Sequence, residues 1–523
     1  MNIATPRSTD KAPSSSLPSV APPSGVVPDT VQPSLLGASN LPPSTCPGQI
    51  PIRFIRLALA LFGIILILNV SCEKENKAAP YNVLLITIDT LRADSLGCYG
   101  SRRARTPVID RLAASGTLFE NVACPMPLTR PSHFSIFTSR YPRQHSVMNN
   151  LMNLPPEELT LAEILQEKGY RTTGFSSIKL LDQKSGTAQG FDSFFSPQYP
   201  QIPADLMGYL ATLWINNFGT SDPFFMWLHL FDPHMPYSPP PQFIAGSQQE
   251  ARTLPPSITW DFLLAVGEKY NGDIPPEILN RSLDLYSGEV SFVDHILGMV
   301  AKVLQQHNLL DRTIIVLTGD HGESFSHGVF FEHSDSLYDG SVAVPLIFRC
   351  PGKVPSGERN SMQCDLLDVA PTILALLDID RSSLPFEGRN LFDPDKSNEV
   401  SAFAQHPVDM GQDAWWRPER EEKIRSVAGQ PVTYLKAGDE QTGLRSEGWK
   451  YLVNMNTGAE ELYNLKFDPH EMKNMAGQNP EIAERFRAQI QEWQKTYPIQ
   501  IQQSSEPDEE LLQTLKALGY IDR

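Results

Sequence analysis

Thr129 is followed by Arg130, Pro131, Ser132 and His133, and then by the largely apolar run that starts at Phe134. A proline two places after the threonine fits the first turn of a helix, where its missing N–H costs no hydrogen bond. Thr129 is therefore expected at the mouth of that helix, where free backbone N–H groups and the helix dipole favour an anion. A hydroxyl held there beside a metal ion is a nucleophile for a sulfate or phosphate ester. Taken alone, a threonine in this place is more often just a helix cap. The chemical reading comes from residues elsewhere in the chain.

Those residues stand at the ends of apolar runs. Asn82 to Asp89, N-V-L-L-I-T-I-D, is nearly continuous in apolar residues and closes on a carboxylate. Pro223 to His234 closes on Asp232 and His234, and Thr313 to His321 closes on Asp320 and His321. Continuous apolar runs of this length are expected as strands buried on both faces of a parallel sheet. Ligands gather at the carboxyl ends of such strands, so Asp89 is where a metal ligand is expected. Three strands that end alike in Asp or His are more than packing requires. His229, inside its strand, reads as structural.

The elements that must position these groups alternate. Thr160 to Lys168 and Val293 to Leu310 carry apolar residues at helical spacing, and Leu366 to Leu377 reads as a helix with Pro371 near its start. Val344 to Phe348 reads as another buried strand. The alternation predicts an α/β fold, a large, mostly parallel sheet sandwiched by helices, with a smaller α+β C-terminal subdomain. Residues 81–380 form the expected catalytic domain and 381–498 the subdomain. The subdomain carries a short strand at Lys450 to Val453 and a helix from Glu481 to Trp493, and the 499–523 tail ends in a short docking helix, Leu511 to Tyr520.

With 43 basic and 60 acidic residues the formal charge is −17, which argues against nucleic acid as a partner. An anionic ester must then be drawn in by a local cationic site. The six cysteines show no metal-type spacing, and Cys98, Cys124, Cys350 and Cys364 read as ordinary thiols. Residues 1–52 are rich in Pro and Ser and read as disordered, or as the product of a start codon assigned too early. Arg53 and Arg56, the apolar run Leu57 to Leu68 and Ser71-Cys72 have the order of a secretory signal across 53–72. The Ser-Cys ending resembles a bacterial lipoprotein signal, although Asn69 stands where leucine is preferred. Lipidation at Cys72 and an uncleaved anchor are the two alternatives. Both predict export, with the body held to the membrane through its N-terminus by a polar tether, 73–80.

The stretch Asn82 to Gly100 resembles the opening strand of the sulfatase family, within the alkaline phosphatase superfamily. Thr106 to Asn121, Gly319 to Glu323 (G-D-H-G-E), Tyr338 to Gly340, Val344 to Ile347, Trp449 to Tyr451 and Glu461 to Leu465 follow the family pattern in order. The match runs from about Tyr81 to Trp493. One departure matters most. Formylglycine sulfatases carry C/S-x-P-x-R where this chain reads Thr129-Arg130-Pro131-Ser132-His133. Threonine cannot become that aldehyde, so no formylglycine is expected, and Cys124 does not replace it because Met126 stands where proline is needed. The T-x-P-x-H form resembles the nucleotide pyrophosphatase/phosphodiesterase branch, where unmodified threonine attacks phosphorus. Threonine together with D-H-G-E also resembles phosphoethanolamine transferases.

The resemblance implies a metal shell of Asp89, Thr129, Asp320 and His321. Thr90 stands where sulfatases have a second aspartate, so imidazole replaces a carboxylate, which favours Zn²⁺ or Mn²⁺ over Ca²⁺. His234 and His333 are the expected acid–base residues, with His333 near the place of a substrate-binding lysine. Arg92, Arg130, His133, Lys179 and His327 are candidates for binding the anion. For Arg92 an ion pair with Asp94 competes, and Lys179 reads equally as a solvated loop residue. The leading expectation is an exported, metal-dependent sulfatase-family hydrolase of sulfate or phosphate esters with Thr129 as nucleophile. The alternatives are a phospho-group transferase acting on envelope glycan or lipid, and a non-catalytic glycan-binding form of the fold.

Overall fold

The three apolar runs that close on Asp or His become neighbours at the centre of one sheet. A computed structural model describes residues 80–219, 222–244, 255–334, 336–393, 402–405, 423–432, 440–499 and 509–518. The segments read as 1–52, 53–72 and nearly all of the 73–80 tether lie outside the described residues. Strands of the main sheet are β1 (Asn82–Ile88), β2 (Thr117–Ala123), β3 (Arg171–Phe175), β4 (Ser193–Phe195), β5 (Phe224–Leu230), β6 (Thr313–Gly319), β7 (Leu346–Arg349) and β8 (Glu358–Asp365). Among the described residues their order is β8-β2-β7-β6-β1-β5-β3-β4. Only β7 pairs antiparallel, with β6 and β2; every other pairing in this sheet is parallel.

All seven residues of β1 are buried, as are those of β5 and β6. Val83 and Leu85 pack into the core on one face, while Leu84, Ile86 and Ile88 pack into the core on the other. This is the alternation that a strand covered on both sides requires. The register sets Thr87 beside His229 and Ile88 beside Gly319, so Asp89 and Asp320 leave the sheet side by side.

The helices used below are α1 (Pro107–Ala114), α2 (Thr129–Thr138), α3 (Leu161–Glu167), α4 (Ala204–Phe218), α5 (Pro276–Gln306), α6 (Val369–Leu376), α7 (Pro480–Thr496) and α8 (Glu509–Leu518). Thr160 caps α3 by accepting from the Glu163 amide, with Glu163 returning the bond. α5 begins 17 residues before the expected Val293. Pro276 opens it, and buried Arg281 and Glu289 interrupt the apolar stripe that would have announced its first half. The expected C-terminal pieces are also there. Strands β9 (Ala402–Gln405), β10 (Gln441–Ser446), β11 (Trp449–Asn454) and β12 (Glu460–Asn464) form a second sheet in that order. α7 packs on it through Ala483, Phe486 and Ile490. α8 docks with Leu515 and Leu518 in the core on the α2 side of the main sheet. No helix among the described residues is long and apolar enough to cross a membrane.

Candidate active site

Thr129 opens α2 after Leu128, whose extended backbone serves as the N-cap. All ten residues of α2 are buried, polar ones included, so the helix is wedged in the interior. Two bonds fix its first turn. Ser132 Oγ donates to the Asp320 carbonyl at 2.6 Å, and His133 Nδ1 donates to the Thr129 carbonyl at 2.8 Å. The Thr129 hydroxyl then lies 3.5 Å from His321 Nε2.

Around that hydroxyl the strand ends converge. The ligand atoms of Asp89, Asp320 and His321 lie within 4.8 Å of one another, and all three residues are buried. His321 Nδ1 gives its proton to the Gly322 carbonyl at 3.1 Å, which leaves the Nε2 lone pair turned inward. That nitrogen is 3.4 Å from Asp320 Oδ2 and 3.7 Å from Asp89 Oδ1. Asp320 Oδ1 accepts from the His321 and Thr90 amides. Thr90 makes its bond from a left-handed backbone, φ 53°, which a β-branched residue adopts only under strain. Tyr286 holds the Thr90 carbonyl there at 2.7 Å.

Both Asp89 oxygens, Asp320 Oδ2 and His229 Nε2 are buried with no hydrogen-bond partner among the described residues. Burial first, and then the nearby Glu323, push the Asp89 carboxyl well above the ordinary carboxylate range. Burial and then Asp89 do the same to Asp320. Two adjacent buried carboxylates without a counter-charge are costly, and a divalent cation removes that cost. The inward lone pair of His321 and the bare oxygens suit such an ion. These residues fit a metal.

His229, read from sequence as structural, faces this group. Its Nε2 is 3.5 Å from Asp89 Oδ2, and Ser177 holds its Nδ1 at 2.9 Å. Burial lowers its pKa to about 3, so it stands neutral beside the carboxylates. The signal was the register, since His229 pairs with Thr87 and points to the same face. Glu323, the end of G-D-H-G-E, was also missed; it is buried, accepts from Tyr237 at 3.0 Å and lies 3.4 Å from His333 Nδ1.

His333 stacks on His321 with ring centroids 4.3 Å apart, and His234 meets His333 edge-on at 5.3 Å. His234 Nδ1 donates to the Met235 carbonyl at 2.7 Å, so Nε2 carries a lone pair. Burial, then His333, lower its pKa to about 4. Asp232 goes elsewhere: it accepts from the Ala204 amide at the start of α4.

The remaining candidates are held by other groups. His133 is buried and pushed well below its ordinary pKa, chiefly by desolvation; its Nε2 accepts from Thr87, which accepts in turn from Trp227. Arg130 donates to the Leu180 and Met152 carbonyls and to Asn153. Arg92 forms the competing ion pair with Asp94 and donates to the Glu323 carbonyl. Lys179 pairs with Glu510 of α8, and His327 stacks on Tyr338 and bonds to the His470 carbonyl. Cys124 is buried, which raises its thiol pKa well above the ordinary value.

Residues 81–379 match the family model described as Sulfatase. The chain is 24% identical to an N-acetylglucosamine-6-O-sulfatase of Bacteroides thetaiotaomicron, over 87% of this chain and 92% of that one. It is 22% identical to arylsulfatase K of Canis lupus familiaris, over 77% and 80% of the two chains. Among solved structures, a complex with its substrate D-glucosamine-2-N,6-O-disulfate superposes with a TM-score of 0.62 at 21% identity, covering 82% of this chain and 99% of the other. The phosphonate monoester hydrolase of Agrobacterium radiobacter gives 0.62 at 20% identity, covering 80% and 96%.

Proposed function

This chain belongs to the sulfatase family and is a sulfatase-like ester hydrolase; on that premise we propose that it is metal-dependent and attacks an anionic sulfate- or phosphate-type ester through Thr129. The observation that carries the reading is the Thr129 hydroxyl at the first turn of α2, 3.5 Å from His321 Nε2 and beside three buried carboxylate oxygens, both of Asp89 and Oδ2 of Asp320, that accept no hydrogen bond among the described residues. The sulfatase and phosphonate-hydrolase relatives supply the ester class.

A divalent cation held by Asp89, Asp320, His321 and Thr129 would acidify the hydroxyl and polarise an ester oxygen. With nitrogen among the donors, Zn²⁺ or Mn²⁺ is favoured over Ca²⁺. The chain's own residues do the rest. Ser132 and His133 fix the turn that presents the hydroxyl, so attack needs little reorganisation. Thr129 Oγ gives up its proton and bonds to phosphorus as the ester P–O bond breaks and the alcohol leaves carrying a proton. Water then attacks the phosphothreonine, restoring the Thr129 hydroxyl and releasing phosphate, or a phosphomonoester where the substrate is a diester. His234, neutral with its Nε2 lone pair, accepts a proton more readily than it gives one, and suits the second step. His333, tethered to Glu323, lies between His234 and His321.

Threonine decides between the esters. Formylglycine hydrate expels sulfate by collapse of a geminal diol, whereas a sulfated threonine must wait for water to attack sulfur. Phosphothreonine has the easier in-line exit. Phosphomonoesters or phosphodiesters are therefore the preferred substrates. A panel of matched aryl phosphate, phosphodiester, phosphonate and sulfate esters tests this on purified protein. A wide preference for the sulfate overturns the role of Thr129 and leaves ordinary sulfatase chemistry. Transfer of the phospho-group to a glycan or lipid, in place of water, is the second reading, supported by the threonine with D-H-G-E. Export and a membrane tether through 53–72 complete the proposal, and flotation of the full-length protein with vesicles tests the tether.

A further inference from the structure

α4 is apolar on both sides. Ala204, Met207, Gly208, Ala211, Trp214 and Ile215 are buried against the body. On the opposite face Leu206 is 43% exposed, Tyr209 58% and Leu213 44%, at the spacing of one helical stripe, and Phe218 at the end of the helix is 45% exposed. The only Asp, Glu, Lys or Arg in these 15 residues is Asp205, in a chain that is 20% charged. Helices on a soluble surface ordinarily turn charge to that side.

The position of the stripe points to its occupant. The described chain starts at Pro80 and enters β1 at Asn82, whose side chain accepts from the Phe224 amide at 3.1 Å. Phe224 opens β5, six residues after α4 ends at Phe218. The exposed stripe therefore runs toward the end of the sheet where the N-terminal tether joins it. A tether of residues 73–80 spans at most about 28 Å even when fully extended. α4 itself is about 22 Å long, and its other end is fixed by Asp232 on the catalytic side.

We propose that the outward face of α4 lies on the lipid bilayer to which the N-terminal segment tethers the chain. This rests on the tethered reading proposed above and adds the surface that meets the lipid. A tyrosine among leucines, with phenylalanine at the end, is the composition of a membrane–water interface, where an amphipathic ring sits at headgroup level. A second copy of the chain is disfavoured as the occupant, because four side chains fall short of the roughly 800 Å² per partner of a stable interface.

Hydroxyl-radical footprinting of the full-length protein tests the proposal, first in phosphatidylethanolamine/phosphatidylglycerol vesicles and then released in detergent-free buffer at low concentration. Phe467 and Met472, 81% and 73% exposed in the C-terminal region, serve as internal controls. The expected result is several-fold slower oxidation of Leu206, Tyr209 and Leu213 in vesicles with no change at the controls. In Leu206→Glu/Leu213→Glu the chain should still float with vesicles and Tyr209 should lose its protection. Failure of the wild type to float overturns both the tether and this surface. Flotation with α4 oxidised equally in both states overturns the surface alone, as does protection that follows protein concentration without lipid.

Discussion

Two clusters of charged side chains among the described residues are treated in opposite ways. At the join between the catalytic body and the second sheet, Lys450 Nζ lies 2.8 Å from Asp339 and 2.7 Å from Glu471, and Arg445 stands 3.5 Å from Asp339. Burial raises the Asp339 pKa, but Arg445 and Lys450 outweigh it and leave the group below its ordinary value. At the ends of β1 and β6, Asp89 and Asp320 are buried more deeply than the half-buried Asp339, yet the groups nearest them are neutral imidazoles and another carboxylate. The first cluster carries its own counter-charges, although burial still raises Glu471 to about 7. The second has no counter-charge beside its carboxylates among the described residues, and that difference is what sets a candidate metal site apart from a structural ion pair.

The comparison can be broken most severely at Thr129. Thr129→Ala should lower turnover by several orders of magnitude, as loss of a covalent nucleophile does. Metal content measured by elemental analysis should fall far less, because three ligands remain; an active Thr129→Ala protein would end the nucleophile reading. Next in size, Lys450→Met should destabilise the fold by about 3 kcal/mol in denaturant unfolding, since it strips buried Glu471 and half-buried Asp339 of their partner. A neutral result would mean the paired cluster contributes little.

Asp89→Asn should behave in the contrary sense. Removing one of two repelling carboxylates should leave the metal-free protein as stable as wild type or more so, with metal binding and turnover lost. Thermal unfolding with and without chelator reads this directly. Wild type should lose about 3 kcal/mol on chelation at saturating metal, and the variant nothing. An Asp89→Asn protein that loses as much stability as Lys450→Met would show that the two clusters are alike.

The smallest effect concerns an exposed pair that calibrates the buried ones. Glu510 on α8 pairs with Lys179 and Lys184, and hydrogen bonds from these lysines hold its carboxyl at about 2, below its ordinary 4.5. Because the folded value is depressed, the pairing contributes in full above pH 4.5 and is lost as pH falls toward 2. Solvent screening keeps the contribution small. Amide exchange across 509–518 should quicken slightly over that window and with added salt, and an α8 indifferent to both would be held by Leu515 and Leu518 alone.

The local pattern of the chain carried the central strands, their catalytic ends and the threonine at the helix mouth. A buried parallel strand needs an unbroken apolar run, and a ligand at its end is the next residue along, so β1, β5 and β6 announced Asp89, His234, Asp320 and His321. Pro131 likewise fixed where α2 must start. Only the tertiary structure decided what depends on distant partners. His229 joined the site through the β1–β5 register, and Glu323 through packing against Tyr237 and His333. Lys179 found its acid at Glu510, 331 positions away, whereas the Arg92–Asp94 pair was already open to local reading. The start of α5 was hidden because its buried face carries Arg281 and Glu289. A strand writes its own periodicity into consecutive residues. A charge acquires its role from whichever counter-charge the fold brings within reach, and no spacing in the sequence records that distance.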